Sequence, residues 1–352
     1  MDPHKFRRQV FFCHGFDRRG PRFFHLWQKR EARRYVARFG GDGRVGERDG
    51  DTWSIRSDDA ETNFTFCDWS DLVSERFGQS VLGLSMDAFR IGWTALRQGF
   101  FGKVMRRDWS LGLWLLWGFL PFLLSLILSV ILLISKPLLI LLMPAIFPLL
   151  HWLALRFDGR LGMGYIMHIA WAARRMALRD DARIENFVAR YAARIEAAGP
   201  ADEVLIVGHS IGAALAVRLA AAVDRPVTVL TLGQSIPLVS LQKEAEYIRR
   251  DMAGLAGWID VSARKDMLGF LAFDPSDGRA ACMTVNLKRA FGERTVKTLK
   301  WKGFAMHFLF FNANLRAAPW DWIGILTQPV TLQKRFEGAR RRDGRGERLL
   351  LF

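Results

Sequence analysis

The sequence predicts an α/β fold, a mostly parallel sheet with helices on both faces, interrupted by a long apolar helical hairpin. Three observations predict it. The runs at 204–207, 226–232 and 257–262 are largely apolar and alternate with stretches of helical spacing, which is how strands buried on both faces of a parallel sheet read. The same alternation opens the chain, with a strand at 8–13 and a helix at 22–39. Between Trp109 and Leu155 the one charged residue is Lys136, which is more apolar than a helix lying on a solvated sheet requires.

The elements follow in order. After the helix at 22–39, a Gly-rich charged loop leads to strands at 52–56 and 63–67, where aromatic and β-branched residues alternate with polar ones. Residues 79–105 carry Val81, Leu84, Phe89, Trp93, Leu96, Phe100 and Val104 at mixed helical spacing, with Arg90 and Arg97 beside them. This is an amphipathic helix, lying on a membrane surface or packed on the sheet. The arms at 109–134 and 137–155 are each long enough to cross a hydrocarbon core, which takes roughly 20 helical residues, and Ser135-Lys136-Pro137 joins them as a hairpin. Lys103, Arg106 and Arg107 precede it and Arg156 and Arg160 follow it, so the positive-inside tendency places both ends in the cytoplasm, at an inner or plasma membrane. Pro121, Pro144 and Pro148 leave a kinked or re-entrant hairpin open beside two full crossings. A helical stretch at 164–198 stops at Gly199-Pro200. The expected organisation is a discontinuous α/β domain at 1–78 and 158–333, the amphipathic helix and hairpin at 79–157, and a basic tail at 334–352.

Half of the 352 residues are hydrophobic, enough for a large core. The formal net charge of +16 comes without a zinc-finger spacing, an RNA-binding sheet signature or a basic recognition helix, so nucleic acid is not an expected partner. An anionic membrane surface accounts for the charge better. Cys13, Cys67 and Cys282 are odd in number and scattered, which fits neither a disulfide framework nor a metal or redox pair. The polar start of the chain lacks the apolar core of a signal peptide.

The most specific motif is Gly208-His209-Ser210-Ile211-Gly212, which follows the strand at 203–207 and leads into the helical Ala213-Ala214-Leu215-Ala216. Two glycines leave room for a strained strand-to-helix turn, and the turn pushes the Ser210 hydroxyl out above the sheet. In this context the motif resembles the nucleophile elbow of the α/β-hydrolase superfamily.

In that superfamily the catalytic residues follow the order nucleophile, acid, histidine. Of the seven histidines only His307 lies after Ser210, so His307 is the candidate general base, the alternative being a histidine satisfied within an aromatic cluster. The acid belongs in a loop just past the carboxyl end of a strand, where it can orient the imidazole. Asp266, after the strand at 257–262, meets this best; Asp274, further out, and Asp260, on the strand itself, are the alternatives. The oxyanion of a tetrahedral intermediate needs two backbone N–H donors. Ile211 supplies one, and Phe16 the other, because His14-Gly15-Phe16 follows the first strand and Gly15 admits close backbone approach. His14 is expected to brace that loop. No cofactor or metal ligand set is apparent.

The chain thus resembles the α/β-hydrolases over 10–16 and about 204–310, with a likeness to class 3 lipases. Thr228-Val229-Leu230 running into Thr231-Leu232-Gly233 resembles their T-F-G segment, and Asp266 falls where their acid would. Gln234-Ser235 stands in place of their usual residue-Pro pair. The resemblance implies a serine hydrolase with a Ser210, His307 and Asp266 triad, acting on an acyl lipid or other amphiphilic ester beside the bilayer. A non-catalytic membrane protein that uses the same scaffold for binding or assembly is the alternative.

Overall fold

The computed structural model describes residues 5–135, 137–156, 163–270, 280–300, 302–316, 318, 320–337 and 348–351. Contacts divide the chain into two compact units. The first comprises Met1–Asp71, Ala182–Pro237 and Glu246–Phe352, and the second Leu72–Asp181 with Leu238–Ala245.

The first unit is α/β. Its strands are β1 (Phe6–Cys13), β2 (Arg44–Asp49), β3 (Thr52–Arg56), β4 (Ala60–Cys67), β5 (Glu203–His209), β6 (Thr228–Leu232), β7 (Trp258–Ala263), β8 (Ala281–Val285) and β9 (Arg348–Leu351). Among the described residues they form one sheet in the order β2-β3-β4-β1-β5-β6-β7-β8-β9. The β2-β3-β4 edge is antiparallel and every other pairing is parallel. The carboxyl ends of β1, β5, β6, β7 and β8 therefore open on one rim, where open α/β sheets place their sites.

Register follows burial. β5 is buried at all of its positions, as a central strand covered on both faces must be. Val10, Phe12, Phe64, Phe66, Leu205, Val207, Leu230 and Leu232, two residues apart on their strands, share one face and one core with Phe308, Phe311, Trp320 and Trp322. Phe12 is the hub of that core, its ring centre 5.3–6.2 Å from those of Phe311, Phe24, Phe64, Phe66 and Trp322. The helix Gly212–Ala221 runs antiparallel to the strands after β5, buried from Gly212 to Ala220.

Sequence patterning misses three strands, β2, β8 and β9. β2 has one buried residue, Val45, so no apolar run marks it; it falls in the stretch expected to be loop. β8 is a short, largely apolar run, Ala281-Cys282-Met283-Thr284-Val285, that is half-exposed at three of its five positions. The helix expected over 164–198 is two helices, Met163–Leu178 and Ala182–Glu196, separated where Arg179 takes a φ of 54°. Of the basic C-terminal stretch, Leu332–Glu337 is helical and Arg348–Leu351 runs parallel to β8.

A buried ion pair ties the end of the unit to its beginning. Arg8 Nε donates to Glu203 Oε2 at 2.6 Å, and its guanidinium also donates to the carbonyls of Ile325 and Val330. Glu203 Oε1 in turn accepts the Leu332 N–H. Removing one partner of such a pair leaves an uncompensated buried charge and costs about 3–5 kcal/mol.

The second unit is helical. Val81–Arg97 and Phe100–Arg107 are separated by Gly99, which adopts a φ of 62°. Asp108 caps the next helix, Trp109–Gly118, by accepting the Ser110 and Leu111 N–H groups at 3.0 Å. Leu120–Ser135, Pro137–Leu142 and Met143–Arg156 follow. Among the described residues no single helix is long and apolar enough to cross a membrane; Trp109–Gly118 and Leu120–Ser135 reach that length together, but are bent by 66° at their junction. Glu244 receives Arg174 at 2.8 Å and Gln98 at 3.0 Å, and the Arg174 hydrogen bond holds its carboxyl down at about 2.

Candidate active site

The Ser210 turn is strained. Ser210 follows β5 with a φ of 56°, a left-handed conformation that costs a non-glycine residue about 1–3 kcal/mol. Its surroundings hold it there. The Ser210 N–H donates to Leu232 O at 3.0 Å, and its carbonyl accepts the N–H groups of Ser235 at 3.1 Å and Ala213 at 3.2 Å. The two motif glycines mark close approaches: a β-carbon at Gly208 would strike the Ala213 backbone and lie 2.8 Å from Ala216 Cβ, and one at Gly212 would strike the carbonyls of Cys13 and His14.

The loop after β1 lies directly against this turn. A β-carbon on Gly15 would stand 3.0 Å from Ser210 Cβ and 3.2 Å from His209 Nδ1. Phe16 is buried, its ring edge-on to Trp69 at 5.8 Å. Ile211, also buried, heads the Gly212–Ala221 helix. The backbone segments expected to supply oxyanion donors therefore flank Ser210 from the ends of β1 and β5.

His14 anchors the loop. Its ring stacks on Phe66 at 4.7 Å, its Nε2 accepts the Trp69 N–H at 3.4 Å, and its carbonyl accepts Trp69 Nε1 at 3.0 Å. Burial pushes its pKa down to about 4, against the opposing pull of Asp68 and Asp17, so its ring is neutral at neutral pH.

His307 ends the helix Gly303–His307 that follows β8 and is buried. Its Nδ1 donates to Asp266 Oδ2 at 2.7 Å, and both side chains are 1% exposed. With Nδ1 protonated toward the carboxylate, Nε2 carries the lone pair; that atom is buried and has no hydrogen-bond partner among the described residues. Asp266 sits in the turn after β7, its N–H donating to Ala263 O at 3.0 Å and its Oδ1 accepting the Leu268 N–H at 3.0 Å. Both carboxylate oxygens are thus committed, which fixes the direction of the bond to His307.

The other acid candidates are elsewhere. Asp260 points off β7 to Thr231 Oγ1, at 2.5 Å, which also accepts Trp258 Nε1. Asp274 lies outside the described residues.

Gly233 joins the two halves of the site, and sequence reasoning did not single it out as functional. It follows Leu232, the acceptor of the Ser210 N–H, and has a φ of 50°. A β-carbon there would lie 2.6 Å from Asp266 Oδ2 and 2.9 Å from His307 Cε1. Gly233 thus lies against the Asp266–His307 pair, and the residue before it accepts the Ser210 N–H. The signal was the glycine closing Thr231-Leu232-Gly233. His209 was named only as part of the motif, yet its Nε2 lies 3.2 Å from the His307 carbonyl, which it donates to, and its ring is 4.3 Å from that of His307. Burial, reinforced by His307, holds its pKa well below the ordinary value.

Chemically, a serine on a strained turn, a buried Asp–His pair and a backbone loop against the serine are the parts of nucleophilic acyl transfer. Among the described residues no group of His, Cys, Asp or Glu is arranged to hold a metal ion. Compared with protein-family models, with characterised proteins and with solved structures, the chain finds no match.

Proposed function

We propose that the protein is a membrane-associated serine hydrolase of the α/β-hydrolase type that cleaves a carboxylic ester. The observation that carries this reading is the buried His307–Asp266 hydrogen bond beside Gly233, whose neighbour Leu232 accepts the N–H of Ser210 on its strained turn. In the proposed reaction His307 Nε2 takes the Ser210 hydroxyl proton as Oγ attacks the ester carbonyl. Asp266 stabilises the imidazolium without taking the proton. The N–H groups of Phe16 and Ile211 receive the oxyanion. His307 then protonates the departing alcohol, and water, deprotonated by His307, releases the acid from Ser210.

The membrane part of the reading rests on the inserted apolar segment, which leaves the sheet unit after β4 and returns to it before β5. Attachment through that segment tethers the catalytic unit to the cytoplasmic face of an inner or plasma membrane, and makes acyl lipids and other amphiphilic esters the substrate class. The test uses full-length protein in detergent, wild type against Ser210→Ala, with a fluorophosphonate probe and a short-chain nitrophenyl ester. Loss of both labelling and hydrolysis in the variant is expected; labelling that persists in Ser210→Ala overturns the assignment.

A further inference from the structure

The helix Val81–Arg97 buries small residues and exposes large ones. Ser85, Ala88, Gly92 and Ala95 face inward with Leu84, whereas Leu82, Met86, Phe89, Trp93 and Leu96 are 59%, 47%, 50%, 45% and 37% exposed. Spaced by four, three, four and three residues, these five form one stripe. At about 100° per residue, Arg90 and Arg97 lie roughly 60–80° from the centre of the stripe, both on the same side. Both are exposed and have no carboxylate partner among the described residues. Asp87, the helix's one acid, faces away and pairs with Arg76 at 2.5 Å.

Two features identify what covers this stripe. The first is charge: residues 79–156 contain seven Lys and Arg against two Asp, and the second acid, Asp108, is engaged in capping the next helix. The second is the neighbouring apolar surface. In Leu120–Ser135 the hydroxyls of Ser125, Ser129 and Ser135 each donate to the carbonyl four residues back, at 2.7, 2.8 and 2.7 Å. A surface of Leu and Ile whose polar atoms are satisfied internally suits hydrocarbon, where no water is present to satisfy them.

We infer that Val81–Arg97 lies in the plane of an anionic phospholipid leaflet, with Leu82, Met86, Phe89, Trp93 and Leu96 among the acyl chains and Arg90 and Arg97 at the headgroup phosphates. This rests on the membrane association proposed above, and not on the hydrolytic chemistry. The apolar stripe supplies the depth and the arginines the preference for negative lipid, at about fivefold in binding per charge near the surface.

The test reads the helix itself, because the rest of the unit would keep the protein on vesicles. In full-length protein carrying Cys282→Ser, so that Cys13 and Cys67 remain buried, an environment-sensitive fluorophore is placed at Met86→Cys or Trp93→Cys, with Arg33→Cys as a water-facing control. Vesicles are phosphatidylcholine, with or without one-third phosphatidylglycerol. The two stripe probes should shift to the blue and be quenched by shallow lipid-borne quenchers in phosphatidylglycerol vesicles, while the control does not respond. Arg90→Gln with Arg97→Gln should weaken that response about 30-fold in lipid concentration. Stripe probes that stay in water while the protein floats with the vesicles overturn the inference. So does a blue shift that follows protein concentration in detergent without lipid, which assigns the stripe to a second copy of the chain. Failure to float at all overturns the inference together with the membrane part of the earlier reading, whereas fluorophosphonate labelling of Ser210 in detergent decides the catalytic part separately.

Discussion

His307 Nδ1 stands 2.7 Å from Asp266 Oδ2, and the second oxygen of that carboxylate is held by the Leu268 N–H. The carboxylate therefore dictates the histidine tautomer, leaving the lone pair on Nε2, the atom that takes the Ser210 proton in the proposed reaction. Asp266→Asn keeps the size and presents an amide that stabilises no imidazolium and favours the wrong tautomer. Ester hydrolysis by this variant should fall by about 10³–10⁴-fold at neutral pH, as for a triad that loses its carboxylate. Steady-state rates with a nitrophenyl ester check it; a loss under tenfold would mean that Asp266 does not orient the base.

Ser210 at a φ of 56° stores strain for position. Glycine adopts that conformation without a β-carbon penalty. Ser210→Gly should thus raise the unfolding free energy by about 1 kcal/mol while abolishing hydrolysis. Ser210→Ala, which keeps the β-carbon, should abolish hydrolysis without that gain. Thermal unfolding of the two variants beside wild type decides the point, and equal melting temperatures for the two would remove strain from the account.

How legible the sequence was depended on whether a feature is local. β5, β6 and β7 are readable because burial on both faces makes them continuous apolar runs, whereas β2, with Val45 alone buried, carries no such signal. Ser210 is marked by its own neighbours, and His307 by being the last histidine in the chain. The rule that acids follow strands favours Asp266 but leaves Asp274 and Asp260 open; the hydrogen bond to His307 Nδ1 is what separates Asp266 from Asp260, which bonds Thr231 instead. Gly233 is different: it belongs to the site because the side chains of Asp266, from the turn after β7, and His307, at the end of the helix Gly303–His307, close on the end of β6, and no spacing in the sequence encodes that approach. The unit boundary was hidden for a similar reason. Met163–Leu178 reads as the first half of one helix with 182–196, yet its contacts place it with the helical unit.

The β1 loop should make the protein acid-sensitive. Burial lowers the His14 pKa from 6.5 to about 4, so between these values the unfolded chain binds a proton that the folded chain refuses. The stabilisation is present in full above pH 6.5 and is lost as pH falls toward 4, on the order of 3 kcal/mol over the window. His14→Gln, which cannot be protonated, should unfold at a lower temperature than wild type at pH 7.5, with the gap narrowing as pH drops to 4.5. Melting curves across that range test this, and a gap that stays constant would remove His14 from the pH dependence.

Asp321 predicts the opposite slope. It caps the helix Trp322–Thr327, its Oδ1 accepting the Gly324 N–H at 3.2 Å, and burial raises its pKa from 3.8 to about 6 despite that bond and the nearby Arg335. Here the folded state holds the proton more tightly. Its contribution is therefore complete below pH 3.8, is lost as pH rises through 6, and stays lost above. Asp321→Asn keeps an oxygen for the cap and removes the buried charge. The variant should match wild type near pH 4 and be more stable above pH 7 by roughly 2 kcal/mol, somewhat less than the full linkage because the charge–dipole attraction at the helix start is given up. Since Asp321 is remote in sequence from Ser210 and makes no hydrogen bond to Asp266 or His307, ester hydrolysis at 25 °C should not change. Unfolding temperatures of the two proteins at pH 4.5 and 8 provide the measurement, and an Asn variant less stable than wild type at pH 8 would show that the cap charge outweighs its burial.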